Sequence, residues 1–187
     1  KILNYLQQTF RYPTEFTTLL YASQMLQAEA IKYGVEHFRR NRGRCMGAIY
    51  WQLNDCWPVA SWASVDYEGR WKALHYYAKR FFAPVMVSCE EQNWMTAEAN
   101  MNREHFVYEK SIRLNVTNET LEDKKVLVKW ALRNADASVV KAEEQEVTVP
   151  ALSSVWLDKE EYPDVDVFGQ YVSYEAWEGD TCISEGS

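Results

Sequence analysis

Hydrophobic and polar positions repeat with a helical period along the first part of the chain. Between residues 13 and 44, apolar and small residues recur at separations of three and four, which predicts one long amphipathic helix. Pro13 and Thr14 would open it, with Thr14 as the N-cap, and Gly43 would end it. The predicted apolar stripe consists of Phe16, Leu19, Leu20, Ser23, Leu26, Ala30, Ile31, Gly34, Val35 and Phe38. The predicted polar side consists of Glu29, Lys32, Glu36 and Arg40.

A nearly continuous apolar run, CMGAIYWQL, follows at residues 45–53. Such a run is typical of a strand buried on both faces, as in parallel sheets covered by helices. NDCWP then favours a turn. A second helix is predicted over residues 71–82, after a turn at Glu68 and Gly69, and Pro84 ends it.

After Pro84 the period changes from helical to alternating. Apolar residues alternate with polar neighbours in three segments, and the alternating positions are Ile112, Leu114 and Val116; Val126, Val128, Trp130 and Leu132; and Val172, Tyr174 and Ala176. Period two with short connections predicts an antiparallel β-sandwich. Residues 92–110 have no clear period. The predicted domains are therefore residues 1–83, helix-strand-helix, and residues 84–187, all-β.

Composition and charge narrow the possible partners. The chain has 187 residues, 47% of them apolar, and a formal net charge of -7, which argues against nucleic acid as the main partner. The arginine-rich RRNRGR at residues 39–44 is interpreted as cations at a helix C-terminus. No apolar run approaches the ~20 residues of a membrane span, so no membrane partner is expected.

The four cysteines, Cys45, Cys56, Cys89 and Cys182, form no CxxC and have no histidine at zinc-finger spacing. They indicate reduced thiols in a cytoplasmic protein, with two disulfides as the alternative, and no metal or cofactor is predicted. Without a signal peptide, the N-x-T matches at Asn115 and Asn118 are interpreted as turn residues between strands. Because the chain starts at Lys1 and ends in strand-like residues, we expect it to be a piece of a larger protein.

The end of the predicted strand carries the candidate chemistry. A single buried strand between two helices needs partner strands, so it would sit in a larger parallel sheet; in a (β/α)-barrel, working residues lie where strands end. Trp51, Gln52, Asn54 and Asp55 occupy such an end. An indole beside amides and a carboxylate suits a sugar, whose apolar face stacks on a ring while its hydroxyls need directional partners.

Each of these residues also has a structural interpretation. Trp51 is interpreted as a ligand contact, with packing of the barrel rim as the alternative. Trp57 and Trp62 lie in the loop, where they would brace it or contact sugar. Asp55 fits a loop cap and a sugar ligand equally well. Lys72 would hydrogen-bond back to the loop or flank the helix start. His37 and His75 are interpreted as structural, and His105 lies in the segment without a clear period.

A longer motif adds a resemblance. WQLND-x-WP-x-x-SW followed by DY-x-GRWKALHYY resembles the last strand and helix of the catalytic barrel in β-mannosidases of glycoside hydrolase family 2. SQMLQAEAIKYGVEHFRR is similar to the helix before that strand. SCEE, SIRLNVTNET and PALSSVWL resemble the immunoglobulin-like domain that follows the barrel. The implied fold is the end of a (β/α)8 TIM barrel followed by an immunoglobulin-like sandwich, truncated at its C-terminus.

The resemblance implies a retaining hydrolase that removes terminal non-reducing β-linked mannose from a β-mannoside or manno-oligosaccharide. Trp51 would form part of the wall of the terminal sugar subsite, with Gln52, Asn54, Asp55 and Trp57 beside it, and the Trp51-Gln52 peptide would be cis. The family's two catalytic glutamates come from the fourth and seventh strands. These precede Lys1, so no catalytic residue is predicted here and the rest of the parent barrel would be the partner.

The carboxylates of this chain offer no substitute pair. Retaining hydrolysis needs two carboxyl groups roughly 5 Å apart. The candidates, Asp55, Asp66, Glu68, Glu29 and Glu36, do not fall on neighbouring strand ends. Two alternative functions stay open. One is a non-catalytic module that binds polysaccharide through Trp94, Trp130, Trp156 and Trp177 or only buttresses the barrel. The other is a related exo-glucosaminidase or endo-β-mannosidase.

Overall fold

The protein, represented by a computed structural model, is described for residues 2–96 and 108–187 and comprises two compact units. The first consists of Lys1–Arg39 with Arg44–Phe82, and the second of Arg40–Gly43 with Ala83–Ser187. His105 and most of the unassigned segment 92–110 lie outside the described residues.

Three helices form the regular structure of the first unit: α1 (Ile2–Thr9), α2 (Phe16–Arg40) and α3 (Ala73–Phe81). The long helix was predicted, but it begins two residues after the proposed N-cap Thr14. Gly43 lies in the turn beyond it with φ of 94°, a conformation that suits a residue without a Cβ atom. The prediction of the second helix is confirmed as α3, whereas α1 was not predicted.

The orientation predicted for α2 is partly wrong. Glu36 and Arg40, assigned to the polar side, are buried, whereas Phe16, Leu20 and Phe38 of the apolar stripe are exposed. Helical spacing defines which residues share a face but not which face is covered. Long polar side chains can also bury their methylene stems while their charged ends find partners.

The predicted strand at residues 45–53 does not form. The side chain of Ile49 is 100% exposed, and Met46 and Leu53 are also exposed. A strand must pair its backbone N–H and C=O groups with a neighbouring strand, and among the described residues no strand lies between α2 and α3. Only Asn54, just beyond, forms an isolated parallel bridge, with Val65. Because the prediction placed the partner strands in a larger sheet and not among these residues, the buried strand and the TIM barrel both stay predictions.

The second unit contains a two-sheet antiparallel sandwich, which confirms the prediction from period two. Its strands are β1 (Val85–Gln92), β2 (Ser111–Asn118), β3 (Lys124–Asn134), β4 (Val139–Val149), β5 (Ser153–Glu161), β6 (Gln170–Glu178) and β7 (Thr181–Gly186). The sheets have the orders β1-β2-β5 and β4-β3-β6-β7, and each pairing is antiparallel. The register aligns Val116 of β2 with Val87 and Val155, and Trp130 of β3 with Tyr174.

Alternating residues of both sheets fill the core of the sandwich. The buried cluster comprises Val85, Val87, Ile112, Leu114, Val116, Val126, Val128, Trp130, Val147, Val149, Leu157, Tyr174 and Ala176. The cluster includes the apolar positions that were predicted from the alternation in β2 and β3, except Leu132. Leu132 is buried but is not part of this cluster. Burial of this apolar surface is the main favourable contribution to the stability of such a fold.

The two N-x-T asparagines belong to β2 and are fully buried, so the prediction of turn residues between strands is wrong for Asn115. Asn115 lies within the strand, where its Nδ2 donates to Ser154 Oγ at 2.8 Å. Asn118 ends the strand and bonds the loop that follows. Turns were predicted because asparagine is common in them. In the structure, each side-chain amide instead has hydrogen-bond partners inside the sandwich.

The structure also tests the interpretations of the cysteines and of the arginines at residues 39–44. All four cysteines are free thiols. The arginines of residues 39–44 do not act only as cations at the C-terminus of α2. Arg39 Nη1 donates to Phe81 O at 2.6 Å within the first unit, and Arg42 of the second unit contacts Glu119 and Leu152 O. Among residues 2–96 and 108–187, no helix is long and apolar enough to cross a membrane.

Candidate functional site

The segment that follows Trp51 is fixed by backbone hydrogen bonds to residues ten to twelve positions later. Val65 N donates to Leu53 O at 2.8 Å, and Ser64 N donates to Gln52 O at 3.0 Å. In the opposite direction, Asp55 N donates to Val65 O at 3.0 Å. These bonds close the loop between Asp55 and Ser64 and hold its two ends side by side.

The carboxylate of Asp55 lies inside this closed loop. Its Oδ1 accepts a hydrogen bond from Ser61 Oγ, and its Oδ2 accepts from Lys72 Nζ at 3.0 Å. The side chain of Asp55 is 2% exposed and that of Lys72 14%. Ser61 Oγ in turn accepts from Ala63 N at 3.0 Å. The predicted hydrogen bond from Lys72 back to the loop is confirmed.

Hydrogen bonding keeps Asp55 ionised. The bond from Ser61 is the largest influence that lowers the pKa of the Asp55 carboxyl, and the hydrogen bond and positive charge of Lys72 lower it further, against the opposing effect of burial. A carboxylate can only accept hydrogen bonds, so Asp55 offers no proton for acid catalysis here.

Ser64 forms a second hydrogen-bonded centre beside this ion pair. Its hydroxyl lies 2.9 Å from Leu53 O, 2.9 Å from Tyr50 OH and 3.2 Å from His75 Nδ1. The Ser64 side chain is fully buried. Since a hydroxyl donates one hydrogen and accepts two, Ser64 can satisfy all three contacts at once. His75 therefore has a structural contact, in agreement with its interpretation from the sequence.

Aromatic rings project from this fixed backbone. The indole of Trp51 is 71% exposed and that of Trp57 is 61% exposed, and Trp62 is exposed as well. The Trp51-Gln52 peptide is cis, as the resemblance implies. Trp71, by contrast, packs its ring against His75 at 4.4 Å and Tyr76 at 5.2 Å between centroids.

The structure brings the five predicted sugar-contacting residues into one short segment, but not all in the same role. Gln52 is partly exposed and its carbonyl holds Ser64. Asn54 is exposed, and its Nδ2 lies 3.2 Å from Asp55 O. Asp55 faces inward, whereas Trp51 and Trp57 face outward. Contact with sugar stays a prediction for all five.

Sequence reasoning missed Ser61 and Ser64. The available signal was weak: both are small hydroxyl residues within VASWAS, six and nine positions after Asp55. A serine in a loop is ordinary, and nothing in a linear sequence shows which carboxylate it will face. The position of Lys72 at the N-cap of α3 was visible from the sequence, but its choice of partner was not.

Two other carboxylates of the first unit, those of Asp66 and Glu29, have hydrogen-bond partners of their own. Asp66 accepts from Arg70 N at 2.9 Å and Arg70 Nε at 2.7 Å, across the predicted turn at Glu68 and Gly69. Glu29 accepts from Tyr77 OH at 2.7 Å. Within the described ranges, no three histidine, cysteine or acidic residues cluster in a way that could hold a metal ion.

Comparisons with known proteins agree with this architecture. Residues 110–187 match the family described as Mannosidase Ig/CBM-like domain. The chain is similar to β-mannosidases from Capra hircus, at 49% identity over 78 residues, and from Mus musculus, at 41% identity over 100 residues. These matches cover 38% and 48% of this chain but only 9% and 11% of the goat and mouse proteins.

Solved structures extend the similarity over nearly the whole chain. The β-D-mannosidase from Dictyoglomus thermophilum superposes with a TM-score of 0.82 at 28% identity, over 99% of this chain and 21% of that one. An exo-chitosanase from Amycolatopsis orientalis superposes with a TM-score of 0.76 over 98% of this chain and 20% of that one. At 16% identity, the second match shows a common fold alone.

The superposition with the Dictyoglomus β-D-mannosidase, a glycoside hydrolase, includes both the sandwich and the tryptophan-rich loop of this chain. Within that class, the curated relatives that the chain matches are β-mannosidases, and residues 110–187 match the Mannosidase Ig/CBM-like domain family. The chain corresponds to about a fifth of the Dictyoglomus structure, and its aligned part to about a tenth of the curated mammalian relatives.

Proposed function

We propose that this chain is part of a retaining exo-β-mannosidase that removes terminal non-reducing β-D-mannose, and that it supplies part of the sugar-binding wall. One observation carries the proposal. Within this chain, Trp51 is 71% exposed and stands directly before a backbone segment that is pinned by hydrogen bonds. A rigidly mounted, outward-facing ring is what stacking on a pyranose requires.

The polar groups beside Trp51 suit the hydroxyls of the same sugar. Gln52 and the exposed Asn54 each carry an amide that can both donate and accept hydrogen bonds. Trp57 adds a second exposed ring, and it either contacts the sugar or braces the loop. Asp55 is not part of this surface, because its carboxylate is enclosed by Ser61 and Lys72.

We infer that the acids of the reaction lie in the remainder of the protein. Retaining hydrolysis uses a nucleophile and an acid/base roughly 5 Å apart. In the described part of the first unit, Asp55, Asp66 and Glu29 are bonded to different partners in different places. The 187-residue chain alone is therefore expected to leave a chromogenic β-mannoside intact, and the rest of the barrel is its necessary partner.

The test of the sugar wall uses the full-length enzyme and p-nitrophenyl β-D-mannoside. Trp51→Ala should lower kcat/KM roughly 10- to 100-fold, because positioning of the substrate depends on its walls, and Trp51→Phe should retain most of the activity. Trp71→Ala is the matched control, since that ring packs on His75 and Tyr76. Wild-type kinetics for Trp51→Ala would overturn the proposal.

Two alternatives are distinguished by direct observations. An exo-glucosaminidase is favoured only by the shared fold with the exo-chitosanase. Such an enzyme would hydrolyse p-nitrophenyl β-D-glucosaminide in preference to the mannoside. An endo-β-mannosidase would instead prefer internal linkages of the polysaccharide. A polysaccharide platform on the sandwich has little support. Trp130 is buried, Trp156 lies under Arg113 on one sheet, and Trp177 lies under Lys129 on the other.

A further inference from the structure

We propose that Asp55 is a positioning residue, which sets the orientation of Trp51 through Ser61 and Lys72 and does not touch the sugar. This inference rests on the proposed function, because it gives Trp51 the role described there. It assigns a purpose to a carboxylate that the sequence alone leaves equally suited to a sugar ligand and a loop cap.

Burial and pairing remove Asp55 from contact with a ligand. Its side chain is 2% exposed, and each carboxylate oxygen already accepts a hydrogen bond, one from a hydroxyl and one from an ammonium group. A sugar hydroxyl could reach this carboxylate only by displacing Ser61 or Lys72. Displacing Lys72 would leave a largely buried ammonium group without its counter-ion, which is strongly unfavourable.

A continuous set of bonds leads from Asp55 to Trp51. The side chain of Asp55 joins the near end of the loop to Ser61 at its far end and to Lys72 at the start of α3. Its backbone is fixed to Val65, and Val65 and Ser64 are fixed to Leu53 and Gln52. Gln52 is the residue next to Trp51, so release of the carboxylate loosens the support on which the indole is mounted.

Asp66 provides a matched contrast only eleven positions later. It too is an aspartate in an ion pair, with Arg70 at 2.7 Å, and its pKa is also lowered, first by the backbone hydrogen bond from Arg70. Its side-chain bonds run forward to residue 70 and not back to residues 52–55. Loss of this ion pair should affect the turn and leave Trp51 in place.

The experiment is a double-mutant cycle in the full-length enzyme, with kcat and KM measured separately on p-nitrophenyl β-D-mannoside. Asp55→Asn should lower kcat/KM roughly 10- to 100-fold, with the same division between kcat and KM as Trp51→Ala. Added to Trp51→Ala, it should change kcat/KM by less than about twofold, because both changes remove one function. Asp66→Asn should stay within about twofold of wild type.

A milder pair of variants keeps the test valid if Asp55→Asn fails to fold. Ser61→Ala removes the hydrogen bond to Asp55 and the one from Ala63 N but leaves the ion pair intact, and Ser61→Thr restores the hydroxyl. Ser61→Ala should reduce kcat/KM by about threefold or more, since small displacements of binding groups are costly, and Ser61→Thr should recover it. Equal activities for Ser61→Ala and wild type would contradict the inference.

The outcomes separate this inference from the function on which it rests. If Trp51→Ala is impaired and Asp55→Asn reduces activity just as much in that background as in wild type, Asp55 acts independently and the positioning role is wrong. If Asp66→Asn is as damaging as Asp55→Asn, the effect is general and the role is again wrong. If Trp51→Ala is fully active, the proposed sugar wall itself fails, and the positioning role fails with it.

Discussion

Replacement of Asn118 by alanine should be among the most destabilising single changes in the sandwich. This amide is 0% exposed and connects three segments around the end of β2. Its Nδ2 donates to Glu122 O at 2.8 Å and to Val149 O and Pro150 O at 3.1 Å. Its Oδ1 accepts from Thr120 N at 2.9 Å and from Thr120 Oγ at 2.7 Å.

The loss of unfolding free energy depends on which of these partners can form a hydrogen bond to water once the amide is removed. Glu122 and Pro150 are exposed, so their carbonyls lose little. Val149 is fully buried and Thr120 is half-buried, so Val149 O and Thr120 N each lose a hydrogen bond that water replaces least readily. At about 1–3 kcal/mol for each buried group without a partner, Asn118→Ala should cost roughly 2–4 kcal/mol of unfolding free energy. The small side-chain volume lost adds to this only slightly.

Thermal unfolding of the purified protein measures the effect. At about 4–8 °C per kcal/mol for a domain of up to ~100 residues, the melting transition of the sandwich should fall by roughly 10 °C or more. Asn134→Ala is the matched control, because the Asn134 side chain bonds Ser138 Oγ and Gln170 Nε2 near a turn. Its melting temperature should fall by only a few degrees. Equal shifts for the two variants would refute the reasoning from burial.

Two further predictions concern buried hydroxyl and amide groups. Ser64→Ala should lower the unfolding free energy by about 1–3 kcal/mol, because Tyr50, Leu53 O and His75 lose a common partner; an unchanged melting temperature would contradict this. Asn115 and Asn118 should carry no N-linked glycan when the protein is expressed through a secretory pathway, since both amides are buried and bonded. Peptide mass spectrometry checks this, and an occupied site in folded protein would disprove it.

The sandwich was the most predictable part of the molecule. In β3, every second residue from Val126 to Trp130 faces the core, and the same alternation holds around Tyr174 in β6. Such a pattern is diagnostic because successive side chains of a strand point to opposite faces. What it could not reveal is that β2 is also buried on its other side, where Thr117 Oγ1 donates to Asn115 Oδ1 and Asn115 Nδ2 donates to Ser154 Oγ.

The helical unit was harder to predict because sequence period does not identify partners. The run CMGAIYWQL reads as a buried strand, yet Ile49 is fully exposed and the run forms no strand in this chain. A continuous apolar run indicates that a segment can be buried. Whether it is buried depends on which other parts of the protein pack against it. The same reason explains why the apolar side of α2 includes the exposed Phe16. In both places, the pattern predicted a capacity for packing that the described residues do not use.

For the candidate site, too, features set by neighbouring residues could be predicted, whereas contacts with residues distant in sequence could not. The composition of NDCWP was sufficient to predict that the chain turns after Trp51, because asparagine, aspartate and proline favour turns locally. It was insufficient to decide whether Asp55 faces a ligand or the protein, since that depends on Ser61 and Lys72, six and seventeen positions away. Once those partners are known, the proximity of aspartate and tryptophan in this segment has a structural explanation. The aspartate is bonded inward on both oxygens, and this fixed backbone leaves the neighbouring indole free to face outward.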